Sequence, residues 1–139
     1  MDKTTTTRMD YSMTDFYNNV HDFHIAFGQL VGEKPNLPNE QERHLRKVLL
    51  QEEFNEYITA EAENDIVEIA DALADIIYIA CGTAVSYGIP LDIIFDEVHN
   101  SNMSKLVDGK VIRRSDGKIQ KPEGWMPPNI AAILKKGNV

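Results

Sequence analysis

Residues 66–85 read IVEIADALADIIYIACGTAV, an apolar run broken by only three charged side chains, Glu68, Asp71 and Asp75. The run reads as a helix that is apolar nearly all round, and such a helix is expected to be buried on most sides. At 100° per residue the three acids fall within an arc of roughly 60°. Burying an ionised carboxylate without compensation costs on the order of several kcal/mol. Three of them on one stripe therefore require a cation, a water-filled cleft or protonation. A membrane-spanning reading is disfavoured, because each acid near the middle costs about 2.5–3.5 kcal/mol even on insertion scales.

The preceding segment repeats the anomaly. Leu45, Val48 and Leu49 define an apolar helix face whose continuation carries Glu52 and Glu56, with Glu53 on the flank about 60° from Glu56. A tight turn at residues 63–65 makes the two helices antiparallel neighbours, so the two acidic sets face each other. Six facing acids without His or Cys form a hard, all-oxygen environment suited to Mg²⁺ or Mn²⁺ rather than zinc or copper. Each acid also has a plainer explanation. Glu68 completes a capping box with Asp65, and Glu52, Glu53 and Glu56 would serve as a solvated helix face. Asp71 and Asp75 resist that reading, because Asp is a poor helix-interior residue and their helix has little other polar surface.

Working outward, Ser12 is expected to cap a first helix, with Asp15 in its first turn, running to about residue 31. Residues 32–39, with Pro35 and Pro38, read as a loop. Asn39 and Glu42 form a capping box for a helix to about residue 62, and Asp65 and Glu68 open the next one. Gly88, followed by Pro90, ends that third helix at about residue 87. A fourth is expected over about 91–104. Two Asp-Gly pairs, at 108–109 and 116–117, bracket the β-prone residues 111–114 and predict a short β-hairpin or extended arm. Pro122, Pro127 and Pro128 keep the tail irregular before a last short helix near 129–136.

The expectation is one all-α domain over 1–139: antiparallel helices in a four-helix-bundle core, residues 1–11 frayed, and a C-terminal arm over 105–139. Helices this apolar often finish their burial against a second copy. The 139-residue chain carries a net charge of −8, which disfavours binding to nucleic acid or an anionic membrane. Residues 1–100 hold 6 basic and 19 acidic side chains (−13), and residues 101–139 hold 8 and 3 (+5). An acidic body with a basic tail suits a ligand that combines phosphates with a cation. Cys81 is the single cysteine, which rules out an intrachain disulfide and fits a reducing, cytoplasmic location. The polar N-terminal residues 1–13 do not read as a secretory signal.

The acids also carry a resemblance. Glu52-Glu53-Phe54-Asn55-Glu56 followed by Glu68-Ile69-Ala70-Asp71 resembles the EExxE…ExxD signature of the all-α nucleotide pyrophosphohydrolases. That group holds the MazG-like proteins, the all-α dUTPases and phosphoribosyl-ATP pyrophosphohydrolase. Residues 71–75 with Tyr78 and Gly82, then Gly88, residues 97–105, 116–118 and 121–125 are similar to the phosphoribosyl-ATP-pyrophosphohydrolase-like branch. One departure is that only eleven residues separate Glu56 from Glu68, at the short end of the family's spacing.

The resemblance implies that Glu53, Glu56, Glu68 and Asp71 coordinate Mg²⁺, for which Mn²⁺ would substitute. Glu52 would be a further ligand or the base that orients the attacking water, making Glu52 and Glu53 the catalytic pair. Asn102 and Lys105 would contact the phosphates. Apart from the resemblance, Asp75 lies on the acidic stripe outside the four-ligand signature, which suits a role on the substrate or behind the metal ligands. Tyr78 and Trp125 could stack on a base, although such residues more often fill a core or an interface. A homodimer or dimer of dimers would complete the bundle. The implied reaction is cleavage of a nucleoside or deoxynucleoside triphosphate between the α and β phosphates, giving a monophosphate and pyrophosphate. Two alternatives remain open: phosphoribosyl-ATP hydrolysis in histidine synthesis, and a non-catalytic helical dimerisation module whose acids hold a structural cation. A di-iron carboxylate bundle fits less well, because neither acidic helix supplies an inward Glu-x-x-His pair.

Overall fold

Capping chemistry sets most of the helix boundaries in the computed structural model, which describes residues 15–136. Helix α1 spans Phe16–Phe27, α2 Glu40–Ala62, α3 Ile66–Tyr87, α4 Leu91–Met103 and α5 Ile130–Lys136. The readings made at Ser12 and over residues 1–11 lie outside the described residues. No strand occurs among the described residues, and the chain is all-helical. None of these helices is long and apolar enough to cross a membrane.

Two compact units divide at residue 88. In the first, Met1–Gly88, α3 packs against both α1 and α2. Asn39 opens α2 by accepting a hydrogen bond from the Glu42 N–H (2.9 Å), and Asp65 opens α3 by accepting from the Val67 and Glu68 N–H groups. Helix α1 departs from its expected limits at both ends. Asp15 is its N-cap, accepting from the Asn18 N–H at 3.0 Å, and Gly28 closes it in the left-handed conformation, so that it ends at Phe27, about four residues early. Beyond Gly28 the chain turns so that buried His24 hydrogen-bonds through Nδ1 to the Leu30 carbonyl (2.9 Å).

The loop after α1 is stitched to the C-terminal end of α3. Gly32 N–H donates to the Val85 carbonyl, Asn36 N–H to Tyr87, and the Ser86 hydroxyl to Leu30. Between α2 and α3 lies Arg46, 5 % exposed; its guanidinium donates to the Thr83 hydroxyl (3.1 Å) and the Ile79 carbonyl (3.3 Å). Burial lowers the Arg46 pKa from its ordinary value, opposed by the negative charge of Glu42 and by Tyr87. Gly82 makes room for it: a Cβ there would stand 2.5 Å from the guanidinium and 3.0 Å from His24 Nε2.

Helix α3 corrects one expectation. Its C-terminal half is buried at Cys81, Gly82, Ala84, Val85 and Ser86, but Ile66 and Val67 are 73 % and 70 % exposed. Leu73, Ile77 and Tyr78 are exposed as well. The physical reason is that α1 and α2 cover only two sides of α3, so the rest of its apolar girth stays open within one chain.

The second unit, Ile89–Val139, holds α4, the arm and α5, and α5 packs on α4. The arm is built from tight turns, with isolated antiparallel bridges at Val107–Lys110 and Arg113–Ile119 and no continuous ladder. Its far end is tied back to α4: the Trp125 Nε1–H donates to the Ser101 carbonyl (2.9 Å), and the Asn129 N–H donates to Glu97 Oε2 (2.8 Å). Asn129 then caps α5 through the Ala132 N–H.

Candidate active site

Small residues let α2 and α3 approach closely where the acids face each other. Ala60 and Ala72 are both buried, and beside them a cleft of about 380 Å³ is lined by Asn55, Glu56, Thr59, Glu68 and Asp71. One turn further along, Glu53, Glu56 and Asp75 each present an oxygen within 4.8 Å of the others. Glu56 belongs to both groups and joins the triad to the cleft.

Glu68 is freed for the cleft by its own helix cap. A reciprocal capping box would use its carboxylate to bind the Asp65 N–H. Here that N–H donates to the Ala60 carbonyl (3.2 Å), and only the Asp65 side chain caps. The plainer explanation of Glu68 therefore covers half of what it needed to.

The electrostatics of the triad are those of crowded like charges. The Glu53 carboxyl is pushed up to about 7, first by burial, then by the hydrogen bond it shares with Glu56 and by the negative charges of Asp75, Glu56 and Glu52. Asp75 is raised by burial and by Asp71 and Glu56, against a hydrogen bond with Glu53 that favours its charged form. Glu53 Oε2 is closed off from solvent, and no donor reaches it. A buried oxygen without a donor, in a set made wholly of carboxylates, is what a hard divalent cation would satisfy. The residues fit such a metal.

The other expected residues fall as follows. Glu52 is exposed and stands outside the triad. Tyr78 meets Phe23 edge to face at 5.6 Å and, with Phe16, Val20 and Ile77, lines an apolar cleft between α1 and α3. Asn102 and Lys105 lie in the second unit, where the Lys105 ammonium donates to Asn102 Oδ1 at 3.1 Å. Asn55 and Thr59 were not singled out from the sequence. Their signal was the helical spacing to Glu56, which brings Thr59 onto the same face one turn on.

Residues 20–102, more than half of the chain, match the family model of phosphoribosyl-ATP pyrophosphohydrolase. The chain belongs to the phosphoribosyl-ATP pyrophosphohydrolase family. This family sits within the all-α MazG-like nucleotide pyrophosphohydrolase superfamily, whose members are hydrolases acting on phosphoric anhydride bonds and are typically metal-dependent. Over 92 residues the chain is also 36 % identical to the uncharacterized protein L479 of Acanthamoeba polyphaga mimivirus. That alignment takes in 58 % of this chain and 37 % of the viral protein, so the chain spans little more than a third of that relative's length. The match to phosphoribosyl-ATP pyrophosphohydrolase includes both acidic helices and stops at Asn102, short of the arm.

The raised pKa of Glu53 has a measurable consequence. An acid whose folded pKa lies above its unfolded value binds its proton more tightly in the fold. Its contribution to stability is fully present below about 4.5 and is lost as pH rises through about 7. The metal-free protein is expected to melt a few degrees lower at pH 8 than at pH 5.5, and Glu53→Gln is expected to flatten that difference. Mg²⁺ bound by the folded cluster alone competes with the proton, so it should raise the melting temperature more at pH 8. Thermal melts at both pH values with and without Mg²⁺ check this. Identical shifts at the two pH values would count against Glu53 as a ligand.

Proposed function

We propose that this protein hydrolyses a nucleoside or deoxynucleoside triphosphate between its α and β phosphates, releasing a monophosphate and pyrophosphate, with Mg²⁺ required and Mn²⁺ able to substitute. The observation that carries this reading is the Glu53–Glu56–Asp75 triad, with its donorless buried oxygen, opening into the cleft lined by Glu68 and Asp71. Glu53, Glu56, Glu68 and Asp71 would hold the metal, with Asp75 beside them. Bound Mg²⁺ supplies Lewis-acid neutralisation of the phosphate charge.

The chain's own groups handle the proton and the substrate. Water attacks in line, the anhydride bond breaks, and the electron pair leaves with pyrophosphate. The water's proton passes to a carboxylate, Glu53 or the neighbouring Glu52. Asn102 and Lys105 bind the phosphates, and Tyr78 flanks the base. The protein works as a homodimer or dimer of dimers in the cytoplasm, its two units forming one functional domain. Support for assembly comes from the exposed apolar stripe Ile66, Ala70, Leu73 and Ile77 on α3, spaced 4-3-4 like a coiled-coil seam. The buried thiol of Cys81 suits a reducing compartment.

The family description favours a second reading of the same site, hydrolysis of phosphoribosyl-ATP. A panel of NTPs, dNTPs and phosphoribosyl-ATP with Mg²⁺, scored for pyrophosphate against orthophosphate, separates the two. Pyrophosphate from one or more (d)NTPs is the expected result. Release from phosphoribosyl-ATP alone would transfer the assignment to histidine synthesis. Release from none would leave the acidic helices as a metal-binding dimerisation module.

A further inference from the structure

The arm lies beyond the residues matched to the family, and it carries a cluster that the acidic helices do not use. Residues 121–125 read Lys-Pro-Glu-Gly-Trp. Gly124 has φ +79°, and the Trp125 N–H donates to the Pro122 carbonyl at 3.0 Å, the signature of a type II turn with glycine at its third position. This turn sets Lys121 and Trp125 on either side of one reversal. The indole is then fixed to the last turn of α4 by its bond to the Ser101 carbonyl. As a result the Lys121 ammonium lies 4.9 Å from the indole centroid and the Lys105 ammonium, from the turn just after α4, lies 5.3 Å from it.

Two ammonium groups held against one ring repel each other, and the ring quadrupole offsets that repulsion only in part. Neither lysine pairs with a carboxylate among the described residues; the ion pair on the arm is Arg114–Asp116. A carboxylate partner would have neutralised these charges, whereas an indole orders them and leaves them available. Asn102 adds a side-chain amide beside Lys105. Two cations on one indole, 5.3 Å and 4.9 Å from its centroid and so no more than about 10 Å apart, with an amide beside one of them, suit linked phosphoryl groups better than a single one.

We propose that Lys121 and Lys105, ordered by Trp125, form a two-ammonium site for a di- or triphosphate chain. Lys121 is thus a substrate-binding residue supplied by the arm, and Trp125 is its positioning residue. The identity of the polyanion as the nucleotide's phosphate chain rests on the hydrolysis reading above.

Trp125 is the protein's single tryptophan, so its fluorescence reports on this site directly. The test titrates inorganic pyrophosphate into the full-length protein in EDTA, where the metal-free acidic triad repels the anion, and follows indole emission and heat. Saturable binding is expected, about tenfold weaker in Lys121→Gln and unchanged in Lys110→Gln. Trp125→Phe, which keeps an aromatic face, should bind better by calorimetry than Trp125→Leu. With Mg²⁺ and the preferred nucleotide, Lys121→Gln should raise KM about tenfold with kcat little changed. Absence of binding in the wild type, or wild-type binding by Lys121→Gln, would overturn the proposal. Pyrophosphate binding without turnover of any nucleotide would sink the hydrolysis reading and leave this site standing.

Discussion

Replacing Glu56 by glutamine is expected to lower pyrophosphate release about a thousandfold or more, the equivalent of about 4 kcal/mol in the barrier, while the protein stays folded. Glu56 is the acid shared by the triad and the cleft, so its loss removes a carboxylate from both. In the metal-free protein Glu56 contributes repulsion and a shared hydrogen bond to the elevated pKa of Glu53. The amide leaves less charge to crowd Glu53, so the variant should melt no lower than the wild type without metal. It should also lose most of the Mg²⁺-induced rise in melting temperature. Loss of activity with an intact or higher metal-free melting point is the pattern of a site residue rather than a structural one. Asp71→Asn should behave alike in turnover, since it lines the same cleft from α3. Near-normal hydrolysis by both variants would sink the assignment of these carboxylates.

Gly88→Ala is expected to destabilise the fold by about 3 kcal/mol, lowering the melting temperature by roughly 10 °C. Two costs add at this position. Gly88 sits at φ +69°, where a side chain costs about 1–2 kcal/mol. A Cβ there would also run into the backbone carbonyl of Lys34, in the loop stitched to the end of α3. The Lys34 nitrogen would stand 3.0 Å from the same Cβ, so rigid main chain meets it on more than one atom. Gly28 separates the two costs, since it has nearly the same φ, +68°, and a methyl added there would meet nothing within 4 Å. Gly28→Ala should therefore lose only about 1 kcal/mol. Urea unfolding of the two variants is the check, and equal losses would show that the collision adds nothing.

Local chemistry was legible in the sequence wherever a boundary is set by neighbours in the chain. Asn39 with Glu42, Asp65 with Glu68, and Gly88 before Pro90 placed the ends of α2 and α3, because a cap bonds to N–H or carbonyl groups within a few residues. The start and finish of α1 were less legible. Ser12, Asp15, Gly28 and Gly32 all offer a cap or a break, and the choice at the C-terminal end goes with a buried His24 bonded to Leu30. Sequence periodicity placed acids on facing stripes, yet it could not rank them by distance. Asp75, expected to act on the substrate or behind the ligands, lies in the tight triad with Glu53 and Glu56, whereas Glu68 and Asp71 line the adjoining cleft.

By itself, then, the sequence determined the helices, their antiparallel pairing through a three-residue turn, and an all-oxygen acidic character. These follow from propensity, capping and periodicity, which act over one or two helical turns. Tertiary structure decided which oxygens converge, that Glu53 Oε2 has no donor, and that the Asp65 N–H turns to Ala60 and leaves Glu68 free. It also set two lysines, sixteen positions apart, on one indole. Those outcomes depend on the rotation of one helix against another and on where a turn sends the chain, and no spacing along the sequence encodes either distance.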